Sequence, residues 1–202
     1  MVGDQAGAER IGVFGGTFDP VHIGHLVAAL EARQALALDR VLLVVANDPW
    51  QKSGLRPITP AEDRFAVVAA AVEAVDGLEA SRLEIDRGGE SLTADTVAEL
   101  ARAYPGARLF LVIGADVAAE LSTWKRVDEL VGSVELVVVE RGGVVGPPDP
   151  PGWRMQRLHI PQLEISSSDL RRRLAEGRNV DFLIPGPAIR CIRSRGLYAE
   201  RR

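Results

Sequence analysis

The chain has 202 residues, of which 47% are hydrophobic, and it carries a formal net charge of −4. This length suits one buried domain, and the acidic balance argues against a protein whose main role is to bind nucleic acid, because contacts to the phosphate backbone need clustered Lys and Arg. With Cys191 as the only cysteine and no apolar run near the roughly 20 residues of a membrane span, we expect a reducing, cytoplasmic setting and no membrane partner.

Strand and helix patterns alternate along the chain. We expect a flexible terminus over residues 1–9 and a single domain over 10–202. Short apolar runs predict strands at 10–14, 41–46, 80–85, 108–113, 134–139 and 155–160. Helical spacing and stop signals predict helices at 23–38, from about 59, at 93–104, 117–121, 127–131, 167–175 and 187–194. Such alternation predicts an α/β fold with one doubly wound, Rossmann-like parallel sheet that has helices on both faces, and a loop at 142–152.

The densest motif is Gly-Gly-Thr-Phe-Asp-Pro-Val-His-Ile-Gly-His, at residues 15–25 between the first strand and the first helix. Gly15 and Gly16 allow a ligand to approach the backbone, and helix N-termini at strand ends attract phosphates. His22 and His25 lie three residues apart at the helix start, so both can donate to phosphate oxygens. The alternative is a glycine turn followed by two half-exposed histidines.

A second candidate segment, Ile-Ser-Ser-Ser-Asp-Leu-Arg, occupies residues 165–171 before another predicted helix. The spacing of Ser166 and Asp169 is typical of a helix cap, which is the structural alternative. Hydroxyl groups, backbone N–H groups and Arg171 at one helix start also suit a second anion site.

The run at 15–25 resembles the signature of the nucleotidyltransferase superfamily, which carries His-x-Gly-His, whereas the Gly-x-Gly-x-x-Gly of dinucleotide-binding folds is absent after the first strand. The resemblance implies transfer of a nucleoside monophosphate from a triphosphate, with ATP and Mg²⁺ bound and no metal site built from protein side chains. It implies that His22, His25 and Arg171 are catalytic. It also implies nucleotide contacts at Gly15, Gly16, Thr17, Phe18, Gly24, Gly114, Asp116, Ile165, Ser167 and Ser168.

Three further segments, 91–96, 113–116 and 121–124, are similar to those of bacterial nicotinate-nucleotide adenylyltransferases, as is the closing run 196–198. This resemblance covers about 10–198 and implies nicotinate mononucleotide as the acceptor. Implied acceptor contacts are Thr93, Trp124 and Lys125, and Lys52 is implied to reach the reacting phosphates. Arg141 is a further candidate for a phosphate contact, because it ends the fifth predicted strand at the same face. Leu92 stands where the family commonly has Tyr.

Several alternatives stay open from sequence. The acceptor could be nicotinamide mononucleotide or phosphopantetheine, or the chain could be a nucleotide-binding regulator without turnover. By residue type alone, Trp124 suits a core position, Asp116 a helix cap, Lys52 a solvated loop and Arg141 an exposed strand end. The sequence is compatible with a homo-oligomer as well as with a monomer.

Overall fold

A parallel sheet of six strands forms the centre of the molecule. The structure, a computed structural model, describes residues 7–49, 57–141 and 149–199. The strands are Arg10–Gly16 (β1), Arg40–Val45 (β2), Leu78–Ser81 (β3), Arg108–Gly114 (β4), Glu135–Arg141 (β5) and Met155–Ile160 (β6). Their order in the sheet is β3-β2-β1-β4-β5-β6, and every neighbouring pair is parallel.

Helices cover both faces of this sheet, because strands buried on two sides need apolar partners on each. The helices are Ile23–Ala35 (α1), Ala61–Val72 (α2), Leu83–Arg87 (α3), Thr93–Ala103 (α4), Ala115–Ala119 (α5), Ser167–Ala175 (α6) and Gly186–Ser194 (α7), with 3-10 turns at Leu121–Thr123 and Val127–Glu129. One buried cluster packs α1, α2, α6 and α7 on the first face, and a second packs α4 and α5 on the other. The predicted fold class is confirmed.

The sheet reverses its winding direction beside β1. The chain builds β2 and β3 on one side of β1, then crosses to place β4 on the other side. Gly16 pairs in register with Val45, and Val13 pairs with Leu111, so the carboxyl ends of these central strands share one edge. Open α/β sheets bind ligands in the crevice at such a switch point. The residues that follow β1 and β4 therefore lie at the expected ligand edge.

The predicted strand at 80–85 is wrong beyond Ser81, where β3 ends. The chain forms helix α3 instead, and the buried Glu84 side chain explains this course. The hydroxyl of Thr96 donates to Glu84 Oε1 over 2.5 Å, which satisfies this buried carboxyl and ties α3 to α4. The helix ends at Gly88, whose φ of 73° suits glycine.

Some expectations fall outside the described residues. Residues 1–6 and 142–148 lie there, so the flexible terminus and most of the loop at 142–152 stay predictions. Among the residues that are described, no helix is both long and apolar enough to span a membrane.

Candidate active site

The two histidines of the first motif contact each other at the start of α1. His22 is the N-cap residue and is only 3% exposed. Its ring stacks on that of His25, with centroids 3.7 Å apart and planes inclined by 29°. The backbone N–H of His22 donates to His25 Nδ1 over 3.2 Å. A neutral His25 therefore carries its proton on Nε2 and can donate from that atom.

The Phe18 ring packs against the His25 ring and leaves no room for a side chain at Gly16. The ring is buried and meets the His25 ring edge-on, with centroids 5.1 Å apart. A Cβ at Gly16 would lie 2.8 Å from the Phe18 ring, and one at Gly24 would lie 3.1 Å from His22 Nδ1. A Cβ at Gly15 would meet nothing within 4 Å. Gly15 thus leaves space beyond the strand, whereas Gly16 and Gly24 serve close packing within the motif.

The second motif begins α6, and its N-cap is the one that the spacing predicts. Ser166 Oγ accepts from the backbone N–H of Asp169 over 3.1 Å. The Asp169 carboxylate pairs with Arg173, which lowers the pKa of that carboxyl. Ile165, just before the cap, packs against the core cluster on the α1 face. The capping interpretation is therefore confirmed, and it leaves the neighbouring hydroxyl groups for other contacts.

The Ser167 hydroxyl and the Arg171 guanidinium join the two motifs. Ser167 Oγ donates to the carbonyl of Pro20 over 2.9 Å, and Arg171 Nη1 donates to the carbonyl of Asp19 over 2.7 Å. Arg171 Nη2 also donates to Ser168 Oγ over 3.1 Å. The first turn of α6 is thus held against the loop that leads into α1. Two helix N-termini, which both favour anions, meet at one place.

The acceptor residues suggested by resemblance lie at the same edge on the other face. Two ion pairs hold the segment after the 3-10 turn at 121–123. Lys125 Nζ lies 2.6 Å from Glu90 Oε2, and Arg126 Nη1 lies 2.5 Å from Asp95 Oδ1. These pairs keep Trp124 beside the start of α4.

Thr93 is the first residue of α4, and Trp124 packs against the core cluster on that face. The Nε1 of Trp124 is buried with no hydrogen-bond partner in the described part of the chain, and so is Ser91 Oγ. Native structures leave few such atoms unsatisfied, so a buried donor or acceptor without a partner invites a ligand or water. Both atoms flank the segment that the resemblance assigns to the acceptor.

Gly114 and Asp116 occupy the end of β4. Gly114 is the N-cap of α5, and Asp116 lies inside the helix with its side chain exposed. The alternative that Asp116 caps this helix is therefore wrong. A Cβ at Gly114 would lie 2.4 Å from Asp116 Oδ1, so the carboxylate folds back over the strand end. It can face a ligand at the switch point.

Arg64 lies outside the motifs that the sequence singles out, and its buried guanidinium joins three segments around the site. It donates to the carbonyls of Thr59 (2.7 Å), Thr17 (2.8 Å) and Asn47 (3.1 Å). A signal was present, because helical spacing places Arg64 on the buried face of α2. The other buried residues of that face are Val67, Val68, Ala71 and Val72.

Two candidates cannot be located as side chains. Lys52 lies outside the described residues. Arg141 is the last residue of β5, where it pairs with Ile160, but its side chain lies outside the part of the chain that the structure describes.

A surface cavity of about 550 Å³ lies away from these residues, between β3, α3 and α4. Its cations already have partners, since Arg82 pairs with Asp86 and Arg87 pairs with Glu99. The cavity contains none of the motif residues, so we place the candidate site at the switch point, where two helix N-termini and the two imidazoles lie together.

Comparison with known proteins shows the family of the chain. The cytidylyltransferase-like family matches residues 13–173. A protein of Thermus thermophilus named probable nicotinate-nucleotide adenylyltransferase is 43% identical over 189 residues, covering 94% of this chain and 99% of the relative. A relative of the same name from Saccharopolyspora erythraea is 41% identical, covering 94% of this chain and 89% of its own length.

Solved structures share the fold. A Plasmodium falciparum nicotinic acid mononucleotide adenylyltransferase complexed with NaAD aligns with a TM-score of 0.76 at 19% identity, covering 94% of this chain and 97% of that one. The same enzyme complexed with APC aligns with a TM-score of 0.74. The family match and the two sequence relatives show that the chain belongs to the cytidylyltransferase-like family and, within it, to the nicotinate-nucleotide adenylyltransferases.

Proposed function

We propose that this chain transfers the adenylyl group of ATP to nicotinate mononucleotide in the synthesis of the NAD precursor. A phosphate oxygen of the mononucleotide forms a bond to the α-phosphorus of ATP, the bond from that phosphorus to the bridging oxygen breaks, and pyrophosphate leaves. One observation carries the proposal. The N-termini of α1 and α6 are joined through Pro20 and Asp19, which gives a triphosphate two anion sites side by side.

The phosphate of the acceptor is already ionised near neutral pH, so the reaction needs alignment and charge stabilisation rather than a base. His25 is oriented to donate from Nε2, and we assign it with His22 to the α- and β-phosphates. Arg171 donates to the Asp19 carbonyl and to Ser168 Oγ, which holds its guanidinium at the start of α6, and we assign this cation to the departing phosphates. The backbone N–H groups at the start of α6 add to this site.

Mg²⁺ enters this proposal with the triphosphate. Within the described ranges, no group of three His, Cys, Asp or Glu side chains is assembled for a metal ion. Mg²⁺ keeps several waters and binds substrate phosphates readily, which suits a site without a dedicated ligand set. The ion would neutralise charge on the leaving pyrophosphate.

We assign the pyridine ring of the acceptor to a position against Trp124. The hydroxyl of Thr93 and the backbone N–H of Lys125 would receive the nicotinate carboxylate, and the buried Nε1 of Trp124 is a third donor nearby. A carboxylate is a stronger acceptor for such donors than an amide, and it lacks the amide's N–H group. Arg141 remains a proposed contact to the phosphate of the acceptor, and Lys52 remains a proposed contact to the reacting phosphates.

An acceptor panel tests the reaction and its specificity together. Purified protein with ATP and Mg²⁺ receives nicotinate mononucleotide, nicotinamide mononucleotide or phosphopantetheine, and pyrophosphate release and the adenylylated product are measured. We expect the highest kcat/KM with the nicotinate nucleotide. A preference for phosphopantetheine would overturn the acceptor, and no pyrophosphate with any acceptor would indicate a nucleotide-binding regulator.

A further inference from the structure

A buried carboxyl group lies inside the first motif and has a partner from the far end of the chain. Asp19 is 1% exposed and sits three residues before His22. The hydroxyl of Tyr198 donates to Asp19 Oδ1 over 2.8 Å, across 179 positions of sequence. Burying a carboxylate is costly unless hydrogen bonds satisfy it, so this contact stabilises the loop conformation that carries Asp19.

The same residue is also held through its main chain. Arg171 Nη1 donates to the Asp19 carbonyl over 2.7 Å. Asp19 therefore has one anchor from α6 on its backbone and another from the C-terminal segment on its side chain. Two anchors on one residue restrict both rotation and translation of the loop, and the position of the histidines depends on that loop.

The C-terminal segment is itself fixed by the fold. After α7, the backbone N–H of Leu197 donates to the buried Ile192 carbonyl over 3.0 Å. Tyr198 has a φ of 63°, an uncommon value for a large side chain, which persists only when surrounding contacts impose it. Its ring packs against the core cluster on the α1 face. The hydroxyl group is thus presented to Asp19 from a rigid support.

We propose that Tyr198 is a positioning residue, which acts through Asp19 to hold His22 and His25 in the geometry that turnover requires. The inference rests on the proposed adenylyl transfer. It concerns a contact that does not touch substrate, so its effect appears in the rate of the bound complex rather than in substrate affinity. Loss of an interaction that matters only for alignment in the transition state lowers kcat and leaves KM largely unchanged.

The test replaces the hydroxyl alone. Tyr198→Phe keeps the ring and its packing. Tyr104→Phe is a matched control, because Tyr104 directly follows α4 and its ring lies beside the Arg40 side chain instead. We expect Tyr198→Phe to lower kcat about 10-fold, with KM for ATP and for nicotinate mononucleotide within about 2-fold of wild type. Tyr104→Phe should retain wild-type kcat.

A second comparison tests whether the effect passes through the carboxyl group. In an Asp19→Ala background, the added Tyr198→Phe change should alter kcat by less than about 2-fold, because the contact is already gone. A double variant whose fold-loss of kcat equals the product of the two single-variant losses would overturn the proposal. If Asp19→Ala does not fold, as judged by circular dichroism, the pair of tyrosine variants decides alone.

The outcomes separate this inference from the proposed function. An inactive wild-type protein would overturn the function itself. An active wild type with an unchanged kcat in Tyr198→Phe would overturn only the positioning role. A Tyr198→Phe variant that loses thermal stability but keeps kcat per folded molecule would show that the contact is merely structural, and would also overturn the proposal.

Discussion

Ser167 and Pro20 are 147 positions apart, yet the hydroxyl of Ser167 donates to the carbonyl of Pro20 over 2.9 Å. This bond joins the first turn of α6 to the loop before α1. We expect Ser167→Ala to lower kcat, because the two anion sites lose a direct link and a triphosphate is held less well in line. Steady-state rates over a range of ATP concentrations measure the effect.

Ser166 provides the matched control for that prediction. Its side chain caps α6 and makes no contact with the first motif among the described hydrogen bonds. Ser166→Ala should cost about 1 kcal/mol of unfolding free energy, as for other lost N-caps, with a smaller loss of kcat than Ser167→Ala. Equal kcat in the two variants would contradict a role for the Ser167 bond beyond helix stability.

The adjacent glycines of β1 should respond differently to alanine. At Gly15 the added Cβ meets open space, so Gly15→Ala should unfold within about 0.5 kcal/mol of wild type. At Gly16 the Cβ would lie 2.8 Å from the Phe18 ring, and overpacking of this kind costs about 1–3 kcal/mol. We further expect Gly15→Ala to raise KM for ATP, because the methyl group occupies space proposed for the nucleotide. Urea titration and initial rates give the two quantities. An unchanged KM for ATP would mean that bound ATP does not occupy the space next to Gly15.

His25 and His22 should differ in stability although both serve the proposed phosphate site. His25 is half-buried, and its replacement by Ala should lower kcat about 100-fold with little loss of stability. His22 is buried as the N-cap, so His22→Ala should lower kcat and also cost about 1–3 kcal/mol of unfolding free energy. Thermal unfolding beside steady-state kinetics separates the two. Wild-type rates in either variant would contradict the catalytic assignment.

We expect Arg64→Lys to lower the free energy of unfolding strongly, although it keeps the positive charge. The planar guanidinium of Arg64 reaches the carbonyls of Thr17, Asn47 and Thr59 at once, and a lysine ammonium cannot reproduce that fork. Arg64→Lys should therefore cost about 2–4 kcal/mol of unfolding free energy in urea, since buried carbonyls lose their donors. Arg102→Lys, on the exposed side of α4, should change it by less than about 0.5 kcal/mol. Similar costs for both would refute this account of Arg64.

Sequence predicted local features well and long-range contacts poorly. The strand at 155–160 and the helix at 167–175 have the predicted bounds, because alternating side chains and a serine N-cap are local signals. The strand predicted at 80–85 failed, since the apolar pattern of Leu83 and Ile85 fits strand and helix alike and a contact from Thr96 decides.

Part of the site followed from sequence for the same reason. The motifs at 15–25 and 165–171 were found because each is contiguous and sits at a helix start. The Asp19 contact with Tyr198 was not, because it depends on how α7 packs and where the chain turns after it. Such contacts are set by tertiary packing, which residue spacing does not encode.

The raised pKa of Tyr198 gives a prediction in alkaline solution. Burial of the ring, followed by the charge of Asp19, raises this pKa well above its ordinary value of about 10. Tyr198 then stays protonated in the folded protein while it ionises in the unfolded chain above about pH 10. The folded state binds more protons there, so this group's stabilisation is complete below that pH and falls by up to about 1.4 kcal/mol per pH unit above it. Urea unfolding at pH 9 and pH 11 should show wild type losing more stability than Tyr198→Phe. Other titrating groups affect both proteins alike, so an equal loss would mean that Tyr198 ionises as readily in the folded protein as in the unfolded chain.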